Sequence, residues 1–168
     1  MSPAPVCSLN ERETFTVWMA DHRGIVVKIV RGFTSDPTDA DDLTQEITLA
    51  LWRSIPSFRG ESKASTWIWR IALNQAISWQ RGAGPTHAAI DQVAESAAAD
   101  RADDRILIDR IYEAIKTLGP LDRALVMLSL DGYRYAEMAE ITGLTETNVG
   151  ARLSRARTRL NEGLEDAR

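Results

Sequence analysis

Cationic and aromatic side chains alternate along residues 58–81, in a pattern that suits contact with unstacked nucleic acid. This stretch holds three of the five tryptophans in the chain, and no acidic residue follows Glu61 in it. Arginine and lysine neutralise phosphate, aromatic planes accept exposed bases, and the carboxamide of Asn74 offers both a donor and an acceptor to a base edge. The chemistry that these residue types can perform is therefore binding of nucleic acid.

The element that positions these side chains is predicted to be a helix from Thr66 onward, because no glycine or proline interrupts residues 66–81. At helical spacing, one broad face is apolar and a narrow polar stripe runs along the other side. The stripe is made of Thr66, Arg70, Asn74, Ser78 and Arg81, with Trp67 and Ile71 at its edge. A core helix that binds no ligand and has a solvated polar face shows the same pattern. For this helix taken alone, the structural interpretation is favoured.

A second candidate surface lies on a helix predicted for residues 38–55, which Thr38 can cap. One of its faces is apolar, and a second row mixes apolar and polar side chains. This row is made of Gln45, Leu49 and Trp52, with Glu46 beside it. Such a row is a candidate for packing on a partner protein, whereas Leu49 and Trp52 could equally complete the core of the domain.

The C-terminal part has the pattern of a helix-turn-helix. Residues 135–142 are predicted to form a short helix, Gly143 suits the positive φ of a tight turn, and Thr145 can cap a longer helix. The apolar residues of this last helix face inward as Val149, Leu153, Ala156 and Leu160. Its opposite face carries small and polar residues flanked by arginines, as DNA-reading helices do. A helical hairpin with a purely structural role is the alternative.

The net charge of −4 is confined to one short segment. Residues 83–104 contain one arginine and five acidic residues, whereas residues 1–82 and 105–168 are each neutral. This segment begins with Gly-Pro signals and has few large apolar residues, so we expect a flexible linker. A single cysteine, Cys7, excludes an internal disulfide. No apolar run reaches the length of a membrane span, and we expect a cytoplasmic protein without membrane insertion.

These patterns predict an all-α fold of two small helical domains. We expect a flexible arm at residues 1–10, a first domain at residues 11–82, the acidic linker at residues 83–104 and a helix-turn-helix domain at residues 105–168. No phosphate-binding glycine loop, His/Cys ligand cluster or Ser/His/Asp set is present. We therefore expect no enzymatic activity, no catalytic residue, no metal and no cofactor.

Three motifs, in order along the chain, resemble those of a bacterial RNA polymerase sigma factor of the small, two-domain extracytoplasmic-function group of the sigma-70 family. The first is DADDLTQE at residues 39–46. The second is FRGES at residues 58–62, followed by TWIWRIALN at residues 66–74. The third joins LDGY at residues 130–133 with RLSRAR at residues 152–157. Together they extend over most of the chain.

The resemblance implies a role for each surface. A polymerase-binding set would be Asp42, Gln45, Glu46, Leu49 and Trp52. The surface that melts and holds the minus-ten promoter element would be Phe58, Arg59, Lys63, Trp67, Arg70, Asn74, Ser78 and Arg81. The surface that reads the minus-thirty-five element would be Thr147, Asn148, Ala151, Arg152, Ser154, Arg155 and Arg159.

The resemblance also implies the partners. These are core RNA polymerase, promoter DNA as an upstream duplex and a melted non-template strand, and an anti-sigma factor. Three positions depart from the family pattern: Gly150 stands where Lys or Arg is usual, Arg134 replaces the usual Ser or Thr cap, and Ser78 stands where some relatives carry a second asparagine. A stand-alone helix-turn-helix regulator is the competing hypothesis, although such a protein needs neither the polymerase-facing row nor the aromatic and basic helix.

The acidic linker yields a first prediction. Because it carries the whole net charge, we expect it to imitate nucleic acid in a basic channel of the polymerase. Replacing Asp91, Glu95, Asp100 and Asp103 by Asn or Gln should change the yield of abortive or early RNA while both domains stay folded. Early RNA yields that match those of the parent protein would contradict this role.

Overall fold

A computed structural model describes residues 9–83 and 102–165, and within these ranges the regular structure is helical. The α-helices are α1 (Leu9–Phe33), α2 (Pro37–Ser54), α3 (Ala64–Ala83), α4 (Ala102–Lys116), α5 (Pro120–Leu130), α6 (Tyr135–Thr142) and α7 (Glu146–Glu165). A 3₁₀ turn, Ile55–Ser57, follows α2. None of the described helices is both long and apolar enough to cross a bilayer. The all-α prediction is confirmed.

Helices α1, α2 and α3 form the N-terminal half, which is organised around the apolar face of α3. The residues of that face that are fully or almost fully buried are Ile68, Trp69, Ala72, Leu73 and Ala76. They pack with buried side chains of α1 and α2, among them Ile29, Leu43, Ile47 and Leu51. Each large apolar side chain that is removed from water contributes about 1.5–3 kcal/mol. The face predicted from helical spacing is therefore the core of this half.

The start of α2 differs from the prediction. Asp36 caps the helix by accepting a hydrogen bond at Oδ1 from the backbone N–H of Asp39, at 3.0 Å. Pro37 occupies the first helical position, where its fixed φ is favourable and its missing N–H costs nothing. Thr38 therefore lies inside the helix and is not its cap.

Other helix ends also extend beyond the predicted limits. Helix α1 begins at Leu9, inside the arm predicted for residues 1–10, and α4 begins at Ala102, inside the predicted linker. Helix α3 starts at Ala64, and Thr66 is only 3% exposed. Its small side chain is covered by the surrounding helices, so the exposed polar stripe starts at Arg70. Most of the linker, residues 84–101, and the first eight residues lie outside the described ranges.

Helices α4 to α7 form the C-terminal half, and α6 and α7 are the predicted helix-turn-helix. Gly143 ends α6 with φ 75°, and its N–H donates to the carbonyl of Ala139 at 2.9 Å. Thr145 caps α7, since its Oγ1 accepts from the N–H of Asn148 at 3.2 Å. Val149, Leu153 and Ala156 are buried. These features confirm the predicted turn, cap and inward face.

The first helix of this motif is capped even though it lacks Ser or Thr. Arg134 occupies the N-cap, and its backbone N–H donates to Oε2 of Glu137 at 2.9 Å. This backbone hydrogen bond, helped by the nearby Lys63, holds the pKa of Glu137 below its usual range. One half of a capping box therefore replaces the expected side-chain cap.

Arg123 of α5 joins the two halves of the molecule. It is only 4% exposed. Its guanidinium donates to the carbonyls of Lys116 and Leu118 at 2.7 and 3.0 Å, and across the interface to the carbonyl of Gly32 at 3.1 Å. The guanidinium carbon lies 4.9 Å from the ring centre of Phe33. Burial lowers the pKa of Arg123. The guanidinium of Arg123 thus donates to carbonyl groups at the end of α4 and at the end of α1.

The Arg123 network yields a prediction about stability. Arg123→Met should lower the free energy of unfolding by about 2–4 kcal/mol, because three buried carbonyls lose their donor. Arg110→Met is the matched control, since Arg110 is exposed on α4, and it should change stability by no more than about 0.5 kcal/mol. Equilibrium urea unfolding measures both values. Equal losses in the two variants would contradict the assigned role of Arg123.

Candidate nucleic-acid interface

A polar cavity of about 520 Å³ lies beside the start of α3. Its lining combines aromatic, cationic and hydroxyl side chains with two carboxylates. The residues are Ser57, Phe58, Arg59, Glu61, Ser62, Trp67, Arg70 and Glu140. Four of the residues predicted for the minus-ten surface, Phe58, Arg59, Trp67 and Arg70, therefore meet around one cavity.

The aromatic wall of the cavity is held in place by the core. Phe58 packs edge-on against the buried Trp18, with ring centres 5.1 Å apart, and lies 5.5 Å from Trp67. The indole N–H of Trp67 donates to Oγ of Ser54 at 3.0 Å. The loop that follows Phe58 turns at Gly60, whose φ of 73° is unfavourable for other residues. The ring positions are thus fixed by the fold before any ligand arrives.

The polar stripe continues along α3 away from the cavity. Asn74, Ser78 and Arg81 are exposed, whereas Ala76 between them is buried and Ile77 and Trp79 are half-buried. Lys63 lies before the stripe and outside the cavity, with 77% of its side chain exposed. The structure therefore divides the predicted surface into a cavity end and an open end, which carries Asn74.

The outward face of α7 also agrees with the prediction, with one exception. The exposed residues are Thr147, Asn148, Ala151, Ser154, Arg155 and Arg159. Arg152 is instead half-buried and forms an ion pair with Asp122 of α5, at 2.6 Å. Arg152 adjoins the buried Leu153, and its side chain lies on the flank of α7 that packs against α5. Arg152 serves the packing of this half and is not a free cation on the reading face.

Gly150 has a local explanation that the sequence did not reveal. A Cβ at this position would lie 3.2 Å from Cε2 of Tyr135. The tyrosine ring from the start of α6 therefore covers the surface of α7 at Gly150. Because this contact joins two helices through a missing side chain, no periodicity in the sequence indicates it.

The α2 row that was predicted to bind polymerase is partly exposed and partly buried. Asp42, Gln45 and Glu46 are exposed, and Leu49 is an exposed apolar residue, with 51% of its surface in contact with solvent. Trp52 is half-buried, and its ring packs edge-on against Phe15 at 5.1 Å. Glu46 accepts a hydrogen bond from Gln75 of α3 at 2.6 Å. Trp52 thus completes the core in part, whereas Leu49 does not.

Two acidic residues of α6 were not predicted to lie near this interface. Glu137 pairs with Lys63 at 3.4 Å, and Glu140 pairs with Arg70 at 3.6 Å. Arg70 also donates to the backbone carbonyl of Glu140 at 3.0 Å. More than sixty residues separate the partners in the chain, so no sequence pattern connects them. In the described part of the chain, no group of three or more His, Cys, Asp or Glu residues could hold a metal ion.

Comparison with family models gives two matches. Residues 18–86 match Sigma-70 region 2, and residues 108–160 match Sigma-70, region 4. The first range contains the stripe, the α2 row and every residue of the cavity lining except Glu140, and the second contains Glu140 and the helix-turn-helix.

Curated proteins similar to the chain extend over almost its whole length. The ECF RNA polymerase sigma-E factor of Haemophilus influenzae is 28% identical, with 93% of this chain and 90% of that protein covered. The ECF RNA polymerase sigma factor SigM of Mycobacterium tuberculosis is 30% identical, with 90% and 77% covered.

Two solved structures illustrate the likeness in fold. CnrH, in complex with the cytosolic domain of CnrY, superposes with a TM-score of 0.68 at 23% identity, over 92% of this chain and 90% of that chain. RpoE of Bartonella quintana, in complex with the anti-sigma factor NepR, gives a TM-score of 0.67 at 22% identity, over 96% and 100% of the two chains.

Proposed function

The chain belongs to the sigma-70 family as an ECF sigma factor, an alternative sigma factor for transcription initiation, and on this premise we propose a role for each of its surfaces. The cavity and stripe of α3 hold the melted non-template strand of the minus-ten element. The outward face of α7 reads the minus-thirty-five duplex, and the α2 row docks on core RNA polymerase. The observation that carries the proposal is the aromatic and cationic cavity that continues into the exposed stripe at Asn74.

Melting by this surface requires binding energy and no covalent chemistry. A base that leaves the duplex loses stacking, and stacking on an aromatic side chain restores about 1–3 kcal/mol per base. Trp67 and Phe58 supply the aromatic wall, while Arg59 and Arg70 lie where phosphates would pass. The rigid placement of the two rings means that little ordering is needed when a base enters.

The outward face of α7 suits the major groove. Arg155 lies opposite the buried residues Val149 and Leu153 and is exposed. Small residues such as Ala151 and Ser154 beside it allow the helix to approach base edges, and an arginine can bind guanine with two hydrogen bonds. Arg152, also predicted for this face, pairs with Asp122 of α5 in this structure.

The α2 row is proposed to pack on the polymerase through Leu49. This large apolar side chain is exposed one helical turn after Glu46 and two turns after Asp42. An apolar centre with a polar rim is the usual anatomy of a protein interface. Trp52, half-buried against Phe15, contributes its exposed edge.

Polymerase is proposed to be necessary for promoter binding. The two halves are each neutral by sequence, so counterion release gives the free protein little non-specific affinity for DNA. A stand-alone regulator would need that affinity, and it would have no use for region 2. Because one of the similar structures is a sigma factor in complex with an anti-sigma factor, we also propose that an anti-sigma factor binds this chain, in the cytoplasm.

Asn74 is predicted to read one base of the melted minus-ten element. It is the only carboxamide on the stripe and is exposed, so Asn74→Ala should leave stability and polymerase binding unchanged. It should lower open-complex formation and relax the base preference at one promoter position. Transcription of a randomised promoter library measures this preference, and Asn161→Ala, an exposed asparagine on α7, is the control. A preference profile that overlays the parent at every position would exclude Asn74 as the reader.

Arg155 is predicted to be a main contact to the upstream element. Arg155→Ala should weaken holoenzyme binding by about 1–3 kcal/mol, and the loss should depend on the promoter sequence. Arg157→Ala removes the same charge from a side chain that donates to Ser129 of α5 at 2.9 Å, and its effect should be smaller. Affinities measured on wild-type and altered upstream elements test this difference. A uniform loss with a reduced salt slope would show that Arg155 contacts phosphate only.

A further inference from the structure

The ion pairs between the two halves all have the same polarity. Within the described residues they are Lys28–Asp131, Arg31–Asp109, Lys63–Glu137 and Arg70–Glu140. In each pair the cation belongs to the N-terminal half, on α1, on α3 or just before α3, and the acid belongs to the C-terminal half. Because each half is neutral by sequence, this sorting is a property of the two facing surfaces, and it makes them electrostatically complementary.

One of these contacts, Arg70–Glu140, lies in the wall of the polar cavity beside α3. Glu140 lies in the cavity lining together with Trp67 and Arg59. Its carboxylate faces the guanidinium of Arg70, and its backbone carbonyl accepts from the same group at 3.0 Å. Glu137, one helical turn before Glu140, pairs with the ammonium group of Lys63. Two carboxylates of α6 therefore lie where the phosphates of a bound strand would be neutralised.

We propose that the acidic edge of α6, Glu137 and Glu140, is an intramolecular substitute for the melted strand that closes the minus-ten cavity until single-stranded DNA displaces it. The occupant is a segment of the chain itself, and the competing ligand is a single-stranded polyanion with stacking bases. The identification of single-stranded DNA as the competing ligand rests on the proposed function, whereas the contact of α6 with the cavity does not.

The rest of the interface supports a closed arrangement that can open. Apolar contacts hold it: the ring of Tyr133 lies edge-on to Trp69 at 6.0 Å, and Met127 packs where Gly32 has no side chain. The ion pairs themselves are partly exposed, so each is weak and is screened by salt. Asn74, Ser78 and Arg81 remain exposed in the closed arrangement, which leaves a place where a strand can first bind.

Two independent variants should open the molecule. Glu137→Gln with Glu140→Gln removes both charges and keeps an acceptor for the N–H of Arg134. Gly32→Gln inserts a side chain between the halves, since a Cβ there would lie 2.7 Å from Sδ of Met127. The matched controls are Glu146→Gln with Glu162→Gln, two exposed acids of α7, and Gly24→Gln, which lies on the same helix as Gly32 and meets nothing within 4 Å.

Distances between the halves report closure directly. Spin labels at Thr16→Cys and Asn161→Cys, in a Cys7→Ser background, are measured by pulsed dipolar spectroscopy on the full chain. The parent and both controls should give one narrow distance at about 0.05 M salt, and a broader, longer distribution at about 0.5 M salt. Both opening variants should give the broad distribution at either salt. A parent that is broad at low salt, or variants that stay narrow, would overturn the closed arrangement.

Binding of a fluorescent oligothymidine strand tests the competition. If about nine-tenths of the parent molecules are closed, the opening variants should bind the strand about tenfold more tightly than the parent and controls, and adding the strand should broaden the parent distance. Equal affinities for parent and variants, or a parent distance that the strand does not change, would overturn the proposal. Failure of the proposed function gives a different result. No variant would then support promoter-dependent RNA synthesis with polymerase, although the spin-label distances of the parent and the opening variants would still differ.

Discussion

The structure depends on the burial of helix α3 along one face while its other face stays available to a ligand. Trp69, Ile68 and Ala72 are inaccessible to solvent, and they join α1 and α2 to α3 in a single core. Because that face is fixed, the stripe at Asn74 and the rings of the cavity have fixed directions as well. A change that loosened the buried face would move the binding surface with it, so stability and promoter melting are coupled through one helix.

Electrostatics then decides what the exposed face contacts. The N-terminal half is neutral by sequence, yet its cations cluster on α1 and α3 and its acids on the start of α2. The clustered cations can pair with nucleic acid or with the acids of α6, and both partners use the same side chains, Lys63 and Arg70. Arg123 shows the opposite case, because it is buried on carbonyl oxygens and is not available to any competing anion. Exposed cations can thus exchange one anion for another, whereas Arg123 cannot.

Local periodicity predicted much of this structure, since the apolar faces of α3 and α7 and the turn at Gly143 follow from spacing within one element. The cap of α2 was predicted at Thr38, whereas the structure places it at Asp36, because Pro37 occupies the first helical position. Contacts between distant segments, such as Arg123 with Gly32, leave no such trace. The same holds for Arg152, whose partner lies on another helix. The roles of individual site residues remain predictions.

Promoter opening tests the central claim most directly, because it requires the melted strand to be held by this chain within the polymerase. Permanganate reacts with unstacked thymines, and it can be applied to a cognate promoter with core polymerase, with the chain, and with both. Reactive thymines within the minus-ten element should be present only when both proteins are added. Tight protection of duplex DNA by the chain alone at physiological salt, with no reactive thymines when polymerase is added, would contradict this account.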